Sequence, residues 1–129
     1  MQQDLYNSAV ELVAVAPATI SSDTTTAGII IDTQGCESAM VNCITGVVTA
    51  GDVTLSVTES DDSGMSGATA ISGDFVIGSF TANSTANTVV STGIVAQKRY
   101  VQVSIISDNS ANLVGGATIT LGNPAVAGK

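Results

Sequence analysis

Asp52-Val53-Thr54-Leu55-Ser56-Val57-Thr58 sets polar and apolar side chains in strict alternation. Val53, Leu55 and Val57 face one way and Thr54, Ser56 and Thr58 the other, the period of a half-buried β-strand. Working outward, Tyr100 to Ile106 repeats the pattern with Val101, Val103 and Ile105 inward, and Ala117 to Leu121 repeats it with Ala117, Ile119 and Leu121. In Ser38 to Thr45, Ala39, Val41 and Cys43 share one face while Met40, Asn42 and Ile44 share the other, so this strand can be covered on both sides. Weaker strands are expected at 27–31, 75–80 and 88–92. About a third of all residues are β-branched Val, Ile or Thr, which suits strands better than helices. Turn residues at Thr49 to Asp52, Ser60 to Gly67, Asn109 to Asn112 and Gly115-Gly116 punctuate the pattern. Short strands broken in this way predict an all-β fold, an antiparallel β-sandwich or jelly-roll-like barrel.

The N-terminal region reads differently. Leu5, Ala9, Leu12 and Val13 fall at helical spacing, so a short helix is expected within residues 4–14. Pro17 then breaks it, and Ser21 to Thr26 reads as a polar linker. The expected division is an N-terminal arm and linker over residues 1–28 and a β-sandwich domain over residues 29–129. Such an arm is a frayed terminus, an extra edge strand, or a segment that docks on a neighbouring subunit.

With 129 residues the chain fits one domain, and a protein of this size buries roughly two thirds of its unfolded surface. Only Tyr6, Phe75, Phe80 and Tyr100 supply rings, so the core must be aliphatic. Eleven acidic residues oppose three basic ones, giving a net charge of −8. The basic residues are Lys98, Arg99 and Lys129, and none precedes them. Affinity for a phosphate backbone comes from clustered Lys and Arg, so this balance excludes a nucleic-acid partner and repels anionic lipid. Residues 1–20 carry no basic residue and Glu11 interrupts their apolar stretches, which is not the pattern of a secretory signal. No run approaches the roughly 18 apolar residues of a membrane span. The expectation is a product that folds in the cytosol, with no membrane partner.

Cys36 lies just before the strand expected at 38–45 and Cys43 within it, and an extended strand there would hold their Cα atoms about 20 Å apart at about 3.3 Å per residue. A disulfide needs roughly 4.4–6.8 Å. Two buried free thiols are expected, and no zinc site, for want of His or further Cys.

The chain has no His, and Lys98 is its only interior lysine, with no nucleophile motif around it. No enzyme activity, catalytic residue, cofactor or metal is expected. Glu59-Ser60-Asp61-Asp62 has the spacing of a solvated turn in which the carboxylates accept backbone hydrogen bonds. It lacks the Asp-x-Asp-x-Asp-Gly order of the best-known calcium loop. Lys98-Arg99-Tyr100 places two cations at the start of a strong strand. Arg99 either pairs internally with carboxylates near Asp32 or Glu37, or turns its planar fork to a neighbouring subunit or partner. Lys98, Arg99, Tyr100, Asp32 and Glu37 are therefore the candidate contact residues.

Asp32-Thr33-Gln34-Gly35-Cys36-Glu37-Ser38 followed by a strand resembles the Asp-Thr-x-Gly-aromatic-Glu-Ser motif of small tailed-bacteriophage virion proteins. Gly46 to Gly51 leading into Asp52–Gly64 looks like their Gly-Asp-x-strand-Glu-Ser-Asp-Asp segment. Phe75-Val76-Ile77-Gly78 is similar to their leucine-Leu-Gly turn, and Gly93 to Val101 to their Gly-Tyr-x-Gly-x-Lys-Arg-Tyr-Val stretch. The match covers roughly residues 29–106. Cys36 stands where an aromatic is usual, Ile94 where a Tyr is, and Ala96 where a Gly is, departures that thin the aromatic packing. The resemblance implies a capsid decoration (cement or head-stabilising) protein on the outer surface of the virion head. It implies the major capsid protein as partner, and assembly as a homo-oligomer, dimer or trimer. The rival readings are a neck, head–tail joining or tail-tube subunit, and a β-sandwich carbohydrate-binding module, the latter disfavoured by the absence of Trp and the presence of only two Tyr.

Overall fold

The computed structural model describes Tyr6, residues 8–36 and residues 38–122. Seven strands follow one another: β1 (Ala9–Ile20), β2 (Thr25–Asp32), β3 (Ser38–Ser60), β4 (Thr69–Ala70), β5 (Val76–Ile77), β6 (Val89–Ile94) and β7 (Tyr100–Gly122). A single 3-10 turn at Gly73–Phe75 separates β4 from β5, and no α-helix occurs among the described residues.

Two strands organise the molecule. β3 and β7 are each 23 residues long, several times the usual strand, and pair antiparallel from Ser38 opposite Gly122 to Ser60 opposite Tyr100. This ribbon bends in the middle. Its register shifts three times between Thr45 and Asp52, Gly51 adopts φ 77°, and Asn109 and Ser110 take left-handed φ values of 60° and 59°. The breaks expected at 49–52 and 109–112 are thus bends inside continuous strands. Bulges of this kind add twist and turn a strand from one layer into another.

Each half of the ribbon carries its own outer strands. β1 pairs with β7 over residues 113–122, and β6 lines β3 over residues 39–44, with β5 beyond it. On the other half, β2 pairs with β7 over residues 100–106 and β4 with β3 at Thr58 and Glu59. The halves close on one core. Val53, Leu55, Val57, Val101, Val103 and Ile105 from one half meet Val41, Cys43, Ala117, Ile119 and Leu121 from the other, none more than 5% exposed. The all-β sandwich expected from the alternation is the observed architecture. No ring enters the buried core: Tyr6 and Phe75 are exposed, and Phe80 and Tyr100 are half-buried. The layers touch closely at Gly28, where any side chain would run into the backbone oxygens of Ala14 in β1 and Val103 in β7.

The helix expected within residues 4–14 is replaced, over its described part, by strand β1. Val10, Ala14 and Val15 are buried and Leu12 packs against the core, while Glu11 and Val13 point outward. The exposed backbone edge of β7 satisfies the β1 amides and carbonyls, and this outweighs the helical spacing. β2 runs across the division expected at residue 28. The linker is held as well: Ser107 N donates to Thr24 O (2.8 Å), Ser107 Oγ to Ser22 O (2.7 Å), and Thr24 N to Ser107 Oγ (2.9 Å). Asp23 accepts the backbone N–H groups of Ser110 and Ala111 at 3.2 and 2.9 Å, capping the bend of β7.

Both cysteines are free thiols. Cys43 is buried, but Cys36 is only half-buried, because it sits in the connection before β3 and not within the strand. The strand expected at 75–80 contracts to Val76–Ile77, and that at 88–92 extends to Ile94. Of the second face of 38–45, Asn42 is covered, whereas Met40 and Ile44 remain exposed.

Candidate functional site

Three sequence segments that carry the virion-protein resemblance meet at one end of the sandwich. The register places Asp32 of β2 opposite Tyr100 of β7, and Ser60 of β3 opposite the same Tyr100 from the other side. Arg99, just before β7, reaches back to the end of β2. Its Nε donates to Asp32 Oδ1 at 3.0 Å and its Nη2 to Asp32 Oδ2 at 2.8 Å, a two-pronged pair. The guanidinium carbon also lies 5.0 Å from the Tyr100 ring centroid. The hydrogen bond to Asp32 raises the guanidinium pKa further, so it stays charged at every working pH. Both side chains are about two-fifths exposed, and solvent screens the pair accordingly.

The backbone reinforces this clasp. Thr33 donates both its N–H (2.9 Å) and its hydroxyl (2.6 Å) to the carbonyl of Arg99. Asp32 Oδ1 accepts the N–H of Gln34 at 3.0 Å, and Cys36 N–H closes on Thr33 O at 3.1 Å with Gly35 at φ 83°. The Asp-Thr-x-Gly order therefore builds a turn, because the carboxylate accepts the amide two residues on and glycine supplies the left-handed step.

On the other flank, Glu59 Oε2 accepts the backbone N–H groups of Gln97 and Lys98 at 2.7 and 3.3 Å, and the residue is only 9% exposed. Ser60 Oγ donates to Ser66 O at 2.6 Å, and Asp62 Oδ2 accepts from Gly64 N and Ser66 N at 2.9 and 3.2 Å. Asp61, Asp62, Ser66 and Lys98 line a shallow polar hollow beside this turn. Among the described residues no group of three or more His, Cys, Asp or Glu is placed to hold a metal ion.

Of the five candidate contact residues, the structure brings Asp32, Arg99 and Tyr100 into direct contact and sets Lys98 next to them; Glu37 lies outside the described residues. Glu59 was not among them. Beside the clasp, a cavity of about 160 Å³ is lined by Thr33, Cys36, Ser38, Ala39, Ile77, Ile94, Val95 and Ala96. Cys36, Ile94 and Ala96, the three positions at which the sequence departs from the virion-protein motifs it resembles, all line it.

The PBSX exported protein XepA superposes with a TM-score of 0.63 at 15% identity, over 95% of this chain and 39% of XepA. The SPBc2 prophage-derived protein YomS superposes with a TM-score of 0.51 at 15% identity, over 88% of this chain and 93% of YomS. Both neighbours are phage-derived. This chain spans well under half of XepA and nearly all of YomS. The CBM22-1 and GH10 modules of a Clostridium thermocellum endo-1,4-beta-D-xylanase overlap more loosely, with a TM-score of 0.44 at 11% identity, over 89% of this chain and 26% of theirs. No protein-family model and no curated protein sequence matches the chain.

Proposed function

We propose that the chain is a non-enzymatic structural component of a phage virion that binds the outside of the capsid lattice and cements the expanded head. The observation that carries this reading is the convergence of segments 32–36, 59–62 and 97–101 at one pole of the sandwich. The residues of the virion-protein resemblance form one rigid, hydrogen-bonded end, with Lys98, Arg99 and Tyr100 at its surface. The phage origin of the XepA and YomS folds supports the same reading. The major capsid protein is the proposed partner, and the polar end of the sandwich the proposed contact.

Cementing needs no chemistry. A subunit that bridges neighbouring capsomers adds buried area at each contact, and stable interfaces bury about 1,200–2,000 Å². Repetition over symmetry-related sites multiplies the gain. The net charge of −8 suits the outer surface, away from packaged nucleic acid.

Co-sedimentation with expanded heads lacking the protein, and with unexpanded procapsids, tests the proposal. Saturable binding to expanded heads at hundreds of copies, absent from procapsids and reduced by Lys98→Ala, is the expected result. Binding confined to about a dozen copies, one ring of subunits, would move the protein to the neck. Failure to bind either shell would overturn the capsid reading.

A further inference from the structure

Between β3 and β6 the chain crosses an otherwise open margin of the sandwich. On the β7 side of the ribbon, β1 and β2 cross closely at Gly28. On the β3 side, no strand longer than two residues lies beside positions 53–59, and residues 67–88 fill the place. This strap is stitched to both layers in turn. Thr69 and Ala70 pair with Glu59 and Thr58, and Ile71 N donates to Val57 O at 2.9 Å. Phe75 O accepts Val95 N at 2.8 Å, Val76 and Ile77 pair with Ile94 and Gly93, and Ser79 O accepts from Thr92 Oγ1 at 3.0 Å. The strap then returns to β3, where Asn83 N donates to Val53 O at 2.7 Å and Val53 N to Asn83 O at 3.1 Å.

The packing behind these stitches is thin. Along 67–88 only Ile71 and Asn83 are buried, with Val76, Phe80 and Thr88 half-buried and the rest exposed. Ile71 is the one strap side chain fully within the core. Gly67, Gly73 and Gly78 take left-handed φ values of 66°, 65° and 97°, and a Cβ at any of them would meet nothing within 4 Å. Asn83 is the second fastener. Its Oδ1 accepts Thr85 N at 3.1 Å and Thr88 Oγ1 at 3.0 Å, and Thr45 Oγ1 of β3 donates to Thr85 O. Its Nδ2 is buried with no acceptor among the described residues, which offsets part of what those bonds gain.

The ribbon is the opposite case. Val101, Val103 and Ile105 lie between β3 and β2, none more than 1% exposed. Within one molecule, opening is cheap for thinly packed segments and costs the full unfolding free energy for strands like these.

We propose that residues 67–88 lift as one unit from the margin of the sandwich while the β3–β7 ribbon stays folded. Gly67 and Asn87, whose φ is 56°, are the hinges. Lifting frees the backbone of β3 at Val53 and Val57, opens the core where Ile71 sat, and takes Ile77 from the wall of the cavity beside the clasp. The strap is thus a movable cover over a strand edge, a margin that otherwise invites pairing with another chain. The inference is independent of the capsid reading.

Residue-resolved amide hydrogen exchange of the full chain, followed by NMR in urea below the unfolding transition, tests it. Four amides report on the strap: those of Ile71 and Asn83, and those of Val53 and Val95, whose acceptors lie in it. They should share one opening equilibrium, about 10-fold or more larger than that of Val101 to Ile105, with a weaker urea dependence. Asn83→Ala should raise all four by one common factor of about 10, the loss of its side-chain bonds. Ile31→Val, in β2 across the ribbon, should speed Val101 to Ile105 about fivefold and leave the four unchanged. Thr88→Val removes one bond to Asn83 and takes the place of Asn83→Ala if circular dichroism finds that variant unfolded. Acceleration confined to Asn83 and Val53 would mean that the strap frays in pieces, and overturns the inference. So does an equal response of all these amides to Ile31→Val, which would tie the strap to global unfolding.

Discussion

Glu59 occupies the inward position that follows Val53, Leu55 and Val57, so the alternation that builds β3 also delivers a carboxylate to the edge of the core. Continuing the period two residues further would have singled it out, since a group there needs partners; grouping it with Asp61 and Asp62 as one acidic turn hid that. Its partners are the amides of Gln97 and Lys98, which fix the path of the chain into β7. Glu59→Ala leaves both amides without an acceptor and should cost about 1–3 kcal/mol in urea denaturation, with Glu59→Gln costing less because one oxygen remains. An unchanged midpoint for Glu59→Ala would show that water replaces the carboxylate freely. The Asp32–Arg99 pair was legible as one of two options, because two adjacent cations in an otherwise acidic chain call either for an internal carboxylate or for an outside partner. Cys43 offers a pH test. Burial pushes its thiol from the ordinary 9.0 up to about 11. The folded state thus holds the proton more tightly than the unfolded chain, so the contribution is full below pH 9.0 and is lost as pH rises through about 11. Cys43→Ala should flatten that alkaline decline relative to wild type, read from melting curves across this range; parallel curves would refute the assignment. Cys36, half-buried, should alkylate first.

At the scale of elements, β1 shows where periodicity misleads. Leu5, Ala9, Leu12 and Val13 satisfy a helical spacing, yet Val10, Leu12 and Ala14 satisfy an alternating one equally well, and only the open edge of β7 decides between them. Pro17 sits in this edge strand, where a missing N–H is tolerated and further pairing is discouraged. β1 contributes Val10, Ala14 and Val15 to the core. Deleting residues 1–26 should therefore remove about 5 kcal/mol or more of burial, comparable to the whole stability of a typical domain, and abolish cooperative melting. A truncated chain that still melts sharply would mean that β1 is only laid against the sheet. Strands 38–45 and 52–58 were legible separately, as were 100–106 and 117–121. Their fusion into β3 and β7 was not, because a bulged bend and a turn draw on the same residues, here Gly51, Asn109 and Ser110.

For the whole molecule, the alternation of Val53 to Val57 and Val101 to Ile105 was enough to establish an all-β sandwich, since each strand declares which face is buried. The pairing of strands was not legible, because it is decided by partners far away in the chain. The outer face of β3 lay in the sequence as Met40 and Ile44, but alternation alone reports a face as apolar without saying whether anything lies over it. The β3–β7 ribbon carries a further consequence, in time. Its partners are separated by 40 residues at Ser60 and Tyr100 and by 84 at Ser38 and Gly122. No local hairpin can seed it, and everything between must be looped out before the first of its bonds forms, so the chain belongs with the slow, high-contact-order folders. The same two strands then serve both halves, and neither half can open while the other holds. The ribbon that delays assembly also makes its loss a single, rare event.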